Sequence, residues 1–193
     1  MKRFLAGSLL VALALVTPIK GFAQPKTKSA PGADLRALFL DDLKDTREKV
    51  VSLAQAMPED KYTWRPGTGV RSVGETYLHI ANANFMFPKM WGVMPPSGMD
   101  WSGKATPDKA KTIMLLNQSF DFLQQSVEKI PDSEMSQSRN FFGHQMPVSA
   151  ILFHIATHTH EHLGQAIAYA RMNGVTPPWT AAQAASEHGH KSQ

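Results

Sequence analysis

Four of the chain's eight histidines fall within nine positions, at 154, 158, 160 and 162 in the run HIATHTHEHLGQ. Imidazole binds transition metals readily and titrates near neutral pH, so such a cluster points to metal binding or proton transfer. If the run is helical, 100° per residue puts His154, His158 and His162 on one slowly drifting stripe, while His160 points roughly 200° away from His158. Neighbours on the stripe sit about 6 Å apart along the axis, close enough for two imidazoles to share one ion at roughly 2.0–2.1 Å. His154 and His162 are about 12 Å apart, too far for all three to share it. Either adjacent pair would serve, and periodicity does not choose between them. A third ligand must come from another element: His79 is the one histidine inside any other predicted helix, and His144, in the loop before the run, is the substitute.

The pattern excludes some chemistry. Thr159 stands where a zinc-protease HExxH motif needs its glutamate. Cysteine is absent, so there is no disulfide, thiolate ligand or cysteine nucleophile. Glu75, one turn before His79, is a candidate fourth ligand or base, though a capping role explains it as well. Glu161, about 60° around the helix from His158, could orient an imidazole. Gln165 and Asn82 could donate hydrogen bonds near a metal, and Trp64, Trp91, Trp101 and Tyr169 could wall a pocket.

These residues need rigid elements to hold them. At 193 residues the chain suits one domain with a leader, and its 42% hydrophobic content suffices for a core. A first helix is expected from near Gly32 to Met57, with Leu35, Leu38, Phe39, Leu43, Val50, Leu53 and Ala54 at helical spacing and Pro58 ending it. The connector KYTWRPGTGVR cannot continue a helix. Ser72 and Glu75 form a capping box for a second helix that carries His79 and Phe85 towards Trp91, with Pro88 as a kink point. Thr106-Pro107 is expected to open a third helix, whose face is Ile113, Leu116, Phe120, Leu123, Val127 and Ile130. Pro147 opens a fourth, with Gly174 as its C-terminal cap. No strand-like alternation stands out. The expected fold is therefore all-α, a four-helix bundle spanning 32–178, whose long connections allow crossovers. The tail, 179–193, is expected to be poorly ordered.

The N-terminal 23 residues read as a signal peptide: Lys2 and Arg3, an apolar run from Phe4 to Val16, then Gly21-Phe22-Ala23, with cleavage expected after Ala23 and a flexible lead-in over 24–31. The run is about a dozen residues, short of the roughly 20 a bilayer-spanning helix needs, so no stable membrane anchor is expected after cleavage. The mature chain is then periplasmic or secreted. Removing the leader's Lys2, Arg3 and Lys20 from the 20 basic residues leaves 17 against 16 acidic ones, so no basic stripe remains to suggest a nucleic-acid partner. An amphipathic bundle allows a homodimer, but no seam is identifiable.

Three segments carry a resemblance to a known family: YTWRPGTGVRSVGETYLHIANAN at 62–84, HIATHTHEHLGQ at 154–165 and AYARMNGVTPP at 168–178. Together they resemble the DinB-like superfamily of small bacterial four-helix metalloproteins, across nearly all of the mature domain. The resemblance implies one ligand in the helix after the RP-containing connector and two at H-x3-H before Gly-Gln, that is His79, His158 and His162 with Gly164-Gln165 following. Some relatives look like low-molecular-weight thiol S-transferases, so the resemblance implies a metal-dependent transferase or hydrolase acting on a small molecule. Reducing thiol pools are chiefly cytoplasmic, which argues against carrying the thiol role over to an exported chain. The alternative is a non-catalytic bundle braced by its metal or binding a ligand. Zinc is the default ion, with nickel, iron and manganese as alternatives, since imidazole alone does not select one.

Overall fold

The computed structural model describes residues 35–97 and 108–190, without the side chains of 188–190. The expected signal peptide and lead-in, Thr106-Pro107 and Trp101 lie outside the described residues.

Four long helices form the body: α1 (Leu35–Ala56), α2 (Val73–Met86), α3 (Lys109–Glu128) and α4 (Val148–Met172). Helices α1 and α2 each pack against both α3 and α4. The order around the bundle is therefore α1, α3, α2, α4, and the successive pairs α1/α2 and α3/α4 lie across its diagonals. The long connectors are what permit this, because a short loop can join only adjacent antiparallel helices. The arrangement makes α2 and α4, which carry the candidate ligands, direct neighbours.

Each helix buries one stripe. On α1 the buried positions are Phe39, Leu43, Thr46, Val50, Leu53 and Ala54, a three-four spacing that keeps one face inward. Leu38 lies 100° from Phe39, off that stripe, and Leu35 is at the helix end; both are exposed, contrary to the expectation that they share the core face. Helix α2 begins with the expected capping box: Ser72 Oγ accepts from Glu75 N, and Glu75 Oε2 accepts from Ser72 N at 2.6 Å. Pro88 does more than kink it. The α-helix stops at Met86 and tightens into a 3₁₀ turn, Phe87–Trp91, since proline has no N–H to continue the ladder. The N-cap of α3 is Asp108, whose carboxylate accepts from Lys111 N at 2.7 Å, so this helix starts later than Thr106-Pro107 suggested. Helix α4 follows Pro147 and ends as expected at Gly174, whose φ of 75° allows Val175 N to bond Ala170 O and Gly174 N to bond Arg171 O.

Two elements depart from the sequence reading. The connector after α3 contains an antiparallel hairpin, β1 (Ser138–Phe141) with β2 (His144–Pro147), in the register Phe141↔His144. Phe142 and Gly143 turn it with φ of 49° and 90°, both positive as a two-residue turn of matching twist requires. Its strands are four residues each and mostly exposed, too short for alternation to register. Where the tail 179–193 was expected, Pro178–His190 form helix α5. Pro178 stands at its first position, alanines fill its middle, and Trp179 packs partly against the core beside α1.

Candidate metal centre

His79 projects from the middle of α2, and His158 and His162 project from successive turns of α4. Their ligand atoms all lie within 4.8 Å of one another. The Nε2 atoms of His79 and His158 are 3.2 Å apart. Tetrahedral coordination at 2.0–2.1 Å sets neighbouring ligand atoms roughly 3.3 Å apart, so this spacing suits two imidazoles on one ion. The rings are steeply inclined: His79 and His162 have centroids 4.5 Å apart at 86°, and His158 and His162 4.6 Å apart at 76°. Inclined rings can aim nitrogen lone pairs at a common point, which stacked rings cannot.

The surroundings fix one tautomer. Gln165, one turn after His162, accepts a hydrogen bond from His162 Nδ1 at 3.0 Å, while its own amide nitrogen donates to the Tyr169 hydroxyl at 2.8 Å. The sequence reading expected Gln165 to donate near a metal; it accepts instead, which leaves the lone pair on Nε2 of His162. Tyr169 is in turn held edge-on by Trp64 of the connector, at 5.6 Å and 77°. Burial pushes His79 down to about 4, with the positive charge of Arg71 adding to it. Burial likewise pushes His158 down to about 4, helped by His162, His79, His154 and Arg71. Both imidazoles are therefore neutral at pH 7, the form that binds metal.

The other histidines are elsewhere. His154, exposed, packs beside His158 at 6.4 Å but is outside the converging group; its ring edges Phe141 at 4.8 Å. His144 sits exposed on β2. His160 faces α1, where its Nε2 contacts Asp42 Oδ1 at 2.8 Å and Thr46 Oγ1 at 3.3 Å. Glu75 is committed to the cap: its carboxyl is held below its usual range by the Ser72 N–H and then by Arg65, whose guanidinium reaches it at 3.1 Å. Glu161 is exposed.

Sequence reasoning missed three residues around the site. Phe87 of the 3₁₀ turn stands edge-on to His158 at 5.5 Å and stacks on Phe141 of the hairpin at 6.1 Å, making an apolar wall. Beside His79 a cleft of about 390 Å³ is lined by Arg65, Gly69, Val70, Arg71, Glu75, His79 and Asn82. Arg71 immediately precedes the capping serine, a position whose local signal concerns the helix start and says nothing of the cleft.

Fold and site together define a small helical-bundle protein with three histidines converging between two neighbouring helices. The chain belongs to the DinB superfamily, whose family model matches residues 42–166. Similar solved structures include a DinB-like protein from Bacillus cereus, 18% identical with a TM-score of 0.65, covering 72% of this chain and 93% of that one. The DinB-like protein YjoA from Bacillus subtilis is 16% identical with a TM-score of 0.58, covering 72% and 94%. YfiT from Bacillus subtilis, described as a probable metal-dependent hydrolase with an unusual four-helix bundle topology, is 14% identical with a TM-score of 0.58, covering 78% and 94%. No curated protein matches the sequence.

Proposed function

We propose that this protein is a metal-dependent hydrolase of a small molecule, with one divalent ion held by His79, His158 and His162. The observation that carries the reading is the convergence of three imidazoles within 4.8 Å, two of them 3.2 Å apart. The description of YfiT, which shares the fold, supports the same class.

A divalent ion held by His79, His158 and His162 would supply Lewis acidity, lowering the pKa of a water to about 7. The chain's own residues do the rest. His79 and His158 stay neutral and so retain their lone pairs. Gln165 holds His162 in the Nδ1–H tautomer. Phe87 and Phe141 put apolar rings beside His158, and a cleft opens beside His79. Glu75 stays on the helix cap and serves as no proton acceptor. The three neutral imidazoles bring no negative charge, so a cation held there would favour an anionic or strongly polarised substrate group. Zinc is the ion proposed first, and export through the N-terminal leader is part of the proposal.

Metal analysis of untagged protein tests the site. About one ion per chain is expected in wild type, with loss in both His79→Ala and His158→Ala; equal metal in all three would reject it. N-terminal sequencing of the periplasmic fraction tests export, with a mature chain starting at Gln24 expected and a retained Met1 counting against it.

A further inference from the structure

The cleft that ends on His79 has an uneven charge economy. Of its two arginines, Arg65 is occupied: it reaches Glu75 at 3.1 Å and donates to Val70 O at 3.0 Å. Arg71 is exposed, and among the described residues no hydrogen bond or ion pair engages it. Asn82, on the turn after His79, also lines the cleft. The one carboxylate there, Glu75, is already neutralised by Arg65, so the guanidinium of Arg71 is the uncompensated charge of the cleft.

Its place is set by rigid structure on both sides. Gly69, with φ of 78°, turns the connector, and Val73 N bonds back to Trp64 O at 3.0 Å, so the loop is tied at its base. Ser72 directly after Arg71 is fully buried in the helix cap. The Arg71 backbone is thus held between a closed loop and a capped helix, with the side chain beside the cleft. Its charge is felt at both His79 and His158, which puts it within electrostatic reach of the histidine cluster.

We propose that Arg71 is the anion-receiving arm of the site, so that the substrate is a small molecule carrying a carboxylate or phosphoryl group next to the group that reaches the three histidines. Guanidinium presents paired N–H donors that match either oxyanion, and an arm with no partner among the described residues can turn those donors to a ligand. A cleft of about 390 Å³ fits a metabolite-sized molecule. This inference rests on the metal reading above and adds the charge of the substrate to it.

The test uses the full chain loaded with Co2+, whose visible absorption reports binding of a hydroxamate. Three probes are compared: acetohydroxamate, which has no anionic tail, succinate monohydroxamate with a carboxylate, and phosphonoacetohydroxamate with a phosphoryl group. At least one anionic probe is expected to bind roughly tenfold tighter than acetohydroxamate, and which one does so separates the two oxyanions. In Arg71→Gln that preference should fall below about threefold while acetohydroxamate binding is unchanged. Lys111→Gln, which removes an equal charge from exposed α3, should keep the preference. Equal binding of all three probes to wild type, an undiminished preference in Arg71→Gln, or an equal loss in Lys111→Gln would each overturn the proposal. Failure of the chain to take up Co2+ would instead reject the metal reading, and the Arg71 inference with it, whereas Co2+ uptake with no probe binding would overturn the Arg71 inference alone.

Discussion

Gln165 accepts a hydrogen bond from Nδ1 of His162 across a single helical turn, and the same amide donates to Tyr169 one turn further on. An amide oxygen can only accept, so the proton sits on Nδ1 and the lone pair is left on Nε2. The relay extends to Trp64, packed on Tyr169, and so ties the imidazole's orientation to the connector between α1 and α2.

Gln165→Leu should therefore keep the bundle but loosen the metal. Partners of this kind typically contribute 10–100-fold to metal affinity. Competition with a chelator is expected to show a loss of roughly that size with unchanged far-UV circular dichroism. An affinity equal to wild type would mean the Gln165 contact does not matter for binding.

Removing the metal should destabilise the protein without unfolding it. The core is built from all four helices, with Val50, Leu53, Leu116, Phe120, Leu123, Ile151 and Ile155 fully buried and none of them a candidate ligand. At free metal about 100 times its dissociation constant, binding adds roughly 2.7 kcal/mol. Chelation should lower the melting temperature by several degrees and leave helicity intact. Collapse of the helical signal would assign the ion a bracing role instead.

Without metal, stability should fall on acidification. His79 and His158 are held near 4 in the folded state, against about 6.5 in an unfolded chain. Between those values the unfolded chain binds more protons, so the histidines' contribution is complete above about pH 6.5 and lost as pH falls towards 4. Urea midpoints of the apo protein at pH 7, 5.5 and 4.5 should decline, and His158→Gln should decline less steeply. Parallel declines would place the acid sensitivity elsewhere.

Ser72→Ala removes the serine half of the capping box at the start of α2. The cost should be about 1 kcal/mol, the usual value for losing such a cap. Because Ser72 is neither a candidate ligand nor part of the cleft lining, metal affinity should change less than stability, as measured by urea unfolding alongside chelator competition. No loss of stability would show that Glu75 and Arg65 hold the helix start unaided.

Much of this architecture was legible in residue order because its signals are local. The Ser72–Glu75 box, Gly174 after the last turn of α4 and the 3.6-residue stripes each depend on neighbours within a turn or two. The hairpin escaped because four-residue strands carry too little pattern, and α5 because a short alanine-rich tail reads alike whether or not a surface such as α1 receives its tryptophan. Capping placed Glu75 correctly as a structural carboxylate, since both its partners are nearby in sequence.

What residue order determined was the identity of the histidines and their spacing along α4; by itself it left the choice between the two adjacent pairs open. Only tertiary structure put α2 beside α4, bringing His79 to 3.2 Å from His158 across 79 positions of sequence. It also decided that Gln165 accepts, and that Phe87, Phe141 and Arg71 border the site. The reason is physical: a helix sets directions about its own axis, whereas which directions meet depends on how whole helices pack, and packing is a property of all the buried stripes together.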